Sequence, residues 1–478
     1  MRCLLLIFLS FLLSGYHQAA FSQQQSMDDI LSGFEESSSP SDIDQLLDGF
    51  DEPTDQTDNQ NVASKKVDIN TQSFSKTFDY TGFFKLATTV NMAHKAPETG
   101  DTDHRGLSRF RGESNIKFNL RFSDTWKARI SAYAKHDISY LINGRDQYTD
   151  DVLECNESEN EWHEVYLQGT LTPQLDIWFG RKIIAWGTSE SFRVVDVINP
   201  IDYREFGMVD IEDLRIPLVL TQLNYYAGQW KLSGILVHEN RKLKIAPFGS
   251  DYYLGDIPVP TAVPANTLKN TLFAAAVTGR FNGWDISFHS AKYYKDIPHL
   301  EMTDSANMIL TQCKLKMIGS TLAVVYGNWL LKSELSGSHG HLFFNMPEKN
   351  FYRIDGMIGF EYSGVKDTNI SFEMMNQHVF NHDKKLLYVP DRMKKNTIQS
   401  AFRLSKTFFN DRLSLNTLFI MFGSVGQHGM FQRMSFQYDW NDSINMTFGS
   451  VFYQTGKSYL FQTIQDNDRV FFDMQYSF

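Results

Sequence analysis

The chain has 478 residues, is 14% aromatic, and sets 45 Lys and Arg against 56 Asp and Glu for a formal charge of -11. Residues 23–74 hold twelve acidic residues against Lys65 and Lys66, about -10 of that total, so the acidity belongs to one segment and does not describe the partners of the rest; no nucleic-acid partner is expected. No segment reaches the roughly 18 uncharged apolar residues that cross a bilayer as a helix, which excludes helical spans.

The chain begins Met1-Arg2, continues with an apolar run from Leu4 to Leu13, and reaches Ala20-Phe21-Ser22 ahead of a Gln-rich stretch. This predicts a secretory signal peptide over residues 1–22, cleaved after Ser22. Its apolar part is too short to span the roughly 30 Å of a bilayer core. Cys3 leaves with it and has no lipobox around it.

Residues 23–74 are rich in Ser, Asp and Gln and nearly free of aromatics, which predicts a disordered, periplasmic acidic tail. Within it Asp28-Asp29-Ile30-Leu31-Ser32-Gly33-Phe34-Glu35-Glu36 returns as Asp44-Gln45-Leu46-Leu47-Asp48-Gly49-Phe50-Asp51-Glu52. The repeat is either a duplicated linker or a pair of docking peptides. In the second reading Ile30, Leu31, Phe34 and Leu46, Leu47, Phe50 order in the groove of a periplasmic partner.

From residue 75 to 478 the side-chain period is two. Phe78, Tyr80, Phe84, Leu86 and Val90 alternate with polar positions, and Phe110, Ile116, Phe118, Leu120 and Phe122 alternate with Arg109, Arg111, Glu113, Asn115, Lys117, Asn119 and Arg121. So long a polar face suits a water-filled lumen better than the inside of a sandwich. Short turns are predicted at Ser123-Asp124, Thr172-Pro173, Gly228-Gln229, Asn282-Gly283, Gly327-Asn328, Gly364-Val365, Asn410-Asp411 and Asn441-Asp442. They alternate with long connections near 93–107, 141–160, 187–216, 240–268, 295–311, 338–349, 380–394 and 454–466. Alternating short and long connections predict an all-β fold, a transmembrane antiparallel barrel of about 18 strands, with 16 as the alternative. An even count returns both termini to the periplasm. The roughly 400 residues involved exceed the usual single-core limit of about 250–300, which a barrel tolerates by turning its apolar face to lipid.

The third long connection is unusual. It carries Val194, Val195, Ile198, Ile201, Phe206, Met208, Val209 and Leu214, too apolar for a solvated external loop, and is predicted to fold back into the lumen. Around it stand Gly180-Arg181, Trp186-Gly187, Asn199-Pro200-Ile201-Asp202 and Glu212-Asp213-Leu214-Arg215-Ile216-Pro217. This segment resembles the proteobacterial outer-membrane family known as domain of unknown function 1302, with its G-R-x-x-x-x-W-G, N-P-x-D and E-D-x-R-I-P pattern. Arg181, Trp186, Gly187, Asn199, Pro200, Asp202, Glu212, Asp213, Arg215 and Pro217 match it as they stand. The resemblance covers most of the chain after about residue 78, but the duplicated acidic tail is not part of the family pattern. It implies an outer-membrane barrel, often encoded beside RND-type exporters, with a role in the export of hydrophobic or lipid-like compounds.

Asp202, Glu205, Asp210, Glu212 and Asp213 on the loop are expected to face Arg109, Arg111, Arg121, Lys127 and Arg129 on inward strand positions. Opposed charges across a narrow aqueous space would form a selective constriction. In the alternative reading the same charges pin a plug in place.

Catalytic signals are thin. His339-Gly340-His341 and Asn381-His382-Asp383 have no Ser or carboxylate partner at motif spacing, and no catalytic, cofactor or metal site is expected. Cys155 and Cys313 fall in or near external loops; their compartment permits a disulfide, and sequence leaves the pairing open.

The chain closes with Val470, Phe472, Met474, Tyr476 and Phe478 on one face of a strand. This stretch resembles the last strand of Gram-negative outer-membrane barrels, which implies recognition of Phe472, Met474, Tyr476 and Phe478 by the barrel-assembly machinery. The sequence therefore predicts a channel or transport component and not an enzyme; the alternative is an occluded barrel serving as a docking partner in an envelope complex.

Overall fold

The computed structural model describes residues 77–478 except 211, 256 and 304–306. The expectations for the signal peptide at 1–22 and the tail at 23–74, including its repeat, lie outside the described residues.

Period-two alternation builds the strands β1 (Thr77–Asn91), β2 (Gly106–Arg121), β3 (Trp126–Asp137), β4 (Ser158–Thr172), β5 (Leu175–Lys182) and β6 (Leu218–Ala227). Next come β7 (Trp230–Val237), β8 (Leu272–Phe281), β9 (Trp284–Tyr294), β10 (Lys314–Tyr326), β11 (Trp329–His341) and β12 (Phe351–Val365). The circuit ends with β13 (Thr368–Val379), β14 (Asn396–Phe408), β15 (Leu413–Phe422), β16 (Met430–Asn441), β17 (Ile444–Gln454) and β18 (Arg469–Ser477). Each strand pairs antiparallel with the next, and β18 returns to β1 from Phe83↔Ser477 to Asn91↔Arg469, closing an 18-stranded barrel and excluding the 16-stranded alternative.

Side chains divide between the two faces as the period requires. On β1, Phe78, Tyr80 and Phe84 point outward and are exposed, while Ala87, Thr89 and Asn91 point inward and are buried. Phe472, Met474 and Tyr476 on β18 are likewise exposed on the outer face. Exposed aromatic rings gather at the short-turn end, including Trp230, Trp284, Tyr326, Trp329 and Trp440. Amphipathic rings of this kind girdle a barrel where apolar and aqueous layers meet.

Two predicted connections need correction. The turn expected at Gly364-Val365 falls at Lys366-Asp367, because Val365 still pairs with Thr368 after a register shift. A further long-side connection over 423–429 links β15 to β16 and was absent from the expected set. The expected loop over 187–216 is wider in the structure and spans 183–217.

The largest apolar cluster among the described residues lies inside the barrel. It joins Ile184, Phe192, Val194, Val195, Ile198 and Met208 of the 183–217 connection to inward residues of the wall, among them Leu220, Ile235, Leu315 and Met317. Phe461 and Ile464, from the connection between β17 and β18, enter the same cluster.

Candidate functional site

The loop between β5 and β6 enters the lumen because its side chains cannot be solvated elsewhere. Val194, Val195, Ile198, Ile201 and Met208 are all buried. Each fully buried Val or Ile of this kind contributes about 1.5–3 kcal/mol. The surface that receives them is the long-connection half of β6–β10, where Leu218, Leu220, Ile235, Val237, Leu315 and Met317 replace the polar inward residues expected of a water-filled channel. Toward the short-turn end of the same strands the inner face becomes polar, with Gln222, Asn224, Ser233, Ser287 and Thr321.

Charged anchors hold the loop on the other arc of the wall. Glu205 contacts both Arg109 and Arg111 of β2, the latter at 2.8 Å, and Arg111 also meets Asp137 of β3 at 3.2 Å. Asp210 pairs with Arg403 of β14 at 3.2 Å and with Arg433 of β16 at 2.5 Å. Burial alone would push the Glu205 carboxyl up, but Arg109 and Arg111 outweigh it and hold it well below the usual carboxylate range. Asp210 is treated the same way: burial raises it, while Arg433 and Arg403 outweigh that and bring it below its ordinary value.

The start of the loop is held by backbone. Glu334 of β11 accepts hydrogen bonds from the Thr188 and Ser189 N–H groups, the second at 2.9 Å. Glu373 of β13 accepts from Glu190 N–H and Ser191 N–H, both at 3.0 Å, and from the Ser189 hydroxyl at 2.7 Å. Two inward carboxylates thus receive a run of consecutive amide donors, a charge-assisted arrangement that fixes the chain direction. Gly187 is required here: its φ is +94°, and a Cβ would stand 2.6 Å from Glu334 Oε1. Glu190 then reaches Lys332 at 3.1 Å and Arg403 at 3.5 Å.

The family-pattern residues tie the two ends of the loop together. Asn199 Oδ1 accepts from Ile184 N–H at 2.8 Å, and its Nδ2 donates to Ile216 O at 2.8 Å. Pro200 O accepts from Ile216 N–H at 2.7 Å. Asp196 receives Arg193 at 3.3 Å and Arg215 at 2.9 Å. Arg181 reaches Glu239 at 2.6 Å, the Trp186 ring lies 4.7 Å from that of His289, and Pro217 O accepts from Arg241 at 3.1 Å.

The expected charge set is therefore brought together only in part. Asp202 pairs with Arg204 of its own loop, and Arg204 reaches Glu159 of β4 at 2.6 Å. Asp213 is exposed, and the Glu212 side chain lies outside the described residues. Arg129 bonds Asn119 at 2.9 Å and stands 3.8 Å from Glu164, away from the loop acids. Arg121 and Lys127 face each other across β2 and β3 at the short-turn end. Ten positions separate Arg121 from Arg111, about 33 Å along a strand, so neither belongs with the Glu205 cluster. Where acids and bases do meet they are in direct contact, with no aqueous gap between them. Glu334, Glu373, Lys332, Arg403 and Arg433 were absent from the expected set; their signal was a charged residue at an inward position of an alternating strand.

Cys155 and Cys313 are free thiols, the second buried. His341 shares a 2.7 Å hydrogen bond with Ser338, and His339 stacks on Tyr352 with ring centroids 4.0 Å apart.

The family described as protein of unknown function (DUF1302) matches residues 4–478. The chain belongs to that family. No curated protein matches it in sequence. In structure it is similar to OccAB4 of Acinetobacter baumannii, at 9% identity and a TM-score of 0.52 over 84% of this chain and 99% of that one. It is also similar to a BenF-like porin from Pseudomonas fluorescens Pf-5, at 10% identity and a TM-score of 0.51 over 84% of this chain and 98% of that one. OccK9 (OpdG) of Pseudomonas aeruginosa matches at 8% identity and a TM-score of 0.50, over 84% and 98% of the two chains. At these identities the likeness is one of fold.

Proposed function

We propose that this DUF1302 protein is an outer-membrane transport barrel whose extracellular half is narrowed by its own loop, and that its solutes are hydrophobic or lipid-like. The observation that carries this reading is the loop 183–217, held inside the lumen between charged anchors on one arc and an apolar wall on β6–β10. An apolar surface at the level of the loop disfavours small ions and favours solutes with a substantial apolar part. The long connections stand outside the cell and the short turns face the periplasm, the usual disposition of such barrels.

Conductance of the purified full chain in planar bilayers, compared with a variant lacking residues 189–215, tests the reading. A rise in single-channel conductance on deletion, with the barrel still folded, supports it; unchanged conductance would sink it. The second reading, an occluded barrel that docks to an envelope complex, is favoured by Phe461 and Ile464 sealing against the same apolar cluster as the loop. It predicts no conductance from the full chain under any voltage. In both readings the tail's repeat serves as the contact for a periplasmic component of an RND-type exporter. Changing Phe34 and Phe50 together to Ser should abolish its co-purification.

A further inference from the structure

The outer surface of β6–β12 holds a groove of about 1180 Å³ at the long-connection end. Strand register lays out its geometry. Phe273, Lys292, Lys316, His339 and Tyr352 are successive cross-strand partners on β8 to β12 and form one circumferential row. Two residues nearer the membrane centre the corresponding row reads Gly234, Ala275, Ser290, Ile318 and Gly337 on β7 to β11. The first row is cationic between two aromatic rings, and the second is a floor of small residues with one projecting Ile.

Both rows face away from the lumen. Ile318 is 70% exposed, Phe273 54% and Tyr352 55%. A side chain at Gly234 or Gly337 would meet nothing within 4 Å, so the floor is open toward the surrounding lipid.

Lys292 and Lys316 stand directly opposite each other on paired strands. Like charges so placed destabilise a sheet, and neither row contains an acidic residue to offset them. An anion between the two ammonium groups removes that cost. Two lysines beside a histidine match the roughly two negative charges of a phosphate monoester better than the single charge of a phosphodiester. The open floor below accepts an acyl chain attached to the same molecule.

We infer that this groove binds a phosphorylated glycolipid of the lipid A type, its phosphate monoester on Lys292 and Lys316 and one acyl chain on the floor formed by Gly234, Ala275, Ser290 and Gly337. The inference rests on the outer-membrane reading, which puts this end of the barrel in the outer leaflet where such lipids stand. Basic residues at a membrane interface each contribute favourably to anionic headgroup binding.

The test is native mass spectrometry of the full chain in detergent, titrated with lipid A carrying both phosphates and, separately, with phosphatidylglycerol. Wild-type barrel should retain lipid A in preference to phosphatidylglycerol. The double variant Lys292→Glu/Lys316→Glu should lose at least about thirtyfold in lipid A binding. Gly337→Leu, which fills the floor and leaves the lysines in place, should lose binding too. All variants should remain heat-modifiable, since the substitutions face open space. Undiminished lipid A binding by the lysine double variant, or equal binding of the two lipids by wild type, would overturn the proposal. Neither outcome depends on conductance, so this site and the transport reading fail separately.

Discussion

Gly82 and Phe478 exchange both of their backbone hydrogen bonds, Gly82 N–H donating to Phe478 O at 2.9 Å and Phe478 N–H donating to Gly82 O at 3.0 Å. The terminal residue is therefore a rung of the seam between β18 and β1. Its ring stacks on Phe84 at 5.6 Å and lies 3.0 Å from where a Cβ on Gly82 would stand. That position must stay without a side chain, since the same Cβ would be 2.6 Å from Asn115 O.

Deleting Phe478, or changing Gly82 to Val, should reduce heat-modifiable barrel in outer-membrane fractions. The deletion removes a rung and a ring stack; the valine forces the backbone of β1 away from β2. Overpacking of this kind costs about 1–3 kcal/mol. Undiminished folded protein from both variants would show that the seam tolerates a missing rung.

Glu205→Ala leaves Arg109 without its acid and Arg111 with Asp137 and Glu113. Removing one partner of a buried pair costs about 3–5 kcal/mol, and the low end is expected because Arg111 keeps two carboxylates. The loop should loosen at this edge while the barrel stays folded. Single-channel conductance should rise, but by less than is expected of the full loop deletion. Equal conductance of variant and wild type would remove Glu205 from the list of anchors.

Acid should act on the same edge. Glu205 and Asp210 have folded-state pKa values below their ordinary 4.5 and 3.8, so their contribution is fully present above those values and is lost as the pH falls through the depressed ones. As far as these two anchors control it, conductance should hold from neutral pH to about 4.5 and rise only in stronger acid. A transition between pH 6 and 8 would mean that some other group controls the loop.

Asn199→Ala should unlock the two ends of the loop from each other. It orphans Ile184 N–H and Ile216 O, and each buried unsatisfied group costs about 1–3 kcal/mol. Limited proteolysis should then cut within 183–217 while the barrel remains heat-modifiable. Resistance equal to wild type would mean that the Asp196 contacts to Arg193 and Arg215 suffice.

Much of the barrel was legible because its wall obeys a single rule: alternation tells which face each residue joins, and turn chemistry tells where the chain reverses. The connection over 423–429 escaped because it is only seven residues, with Gly423, Gly426, Gln427, His428 and Gly429 as its marks, against the much longer connections that set the expectation. The turn near Lys366 was misplaced because Gly364 reads as a breaker where the chain continues through an irregular pair. For the loop, its apolar content was enough to expect entry into the lumen. Its partners were harder: period two assigns Arg121 and Arg111 to the same face but says nothing of the depth at which a loop will meet them. Glu334 and Glu373 lie 145 and 184 positions from Ser189, and no local spacing connects them.

The loop is gripped by apolar and by ionic contacts, and the two kinds differ in what weakens them. Apolar contacts at Val195 and Ile198 lose strength on cooling, whereas the ionic contacts at Glu205 and Asp210 give way to protons. Cold and acid should thus release different contacts of one segment, and a loop freed from one kind remains held by the other.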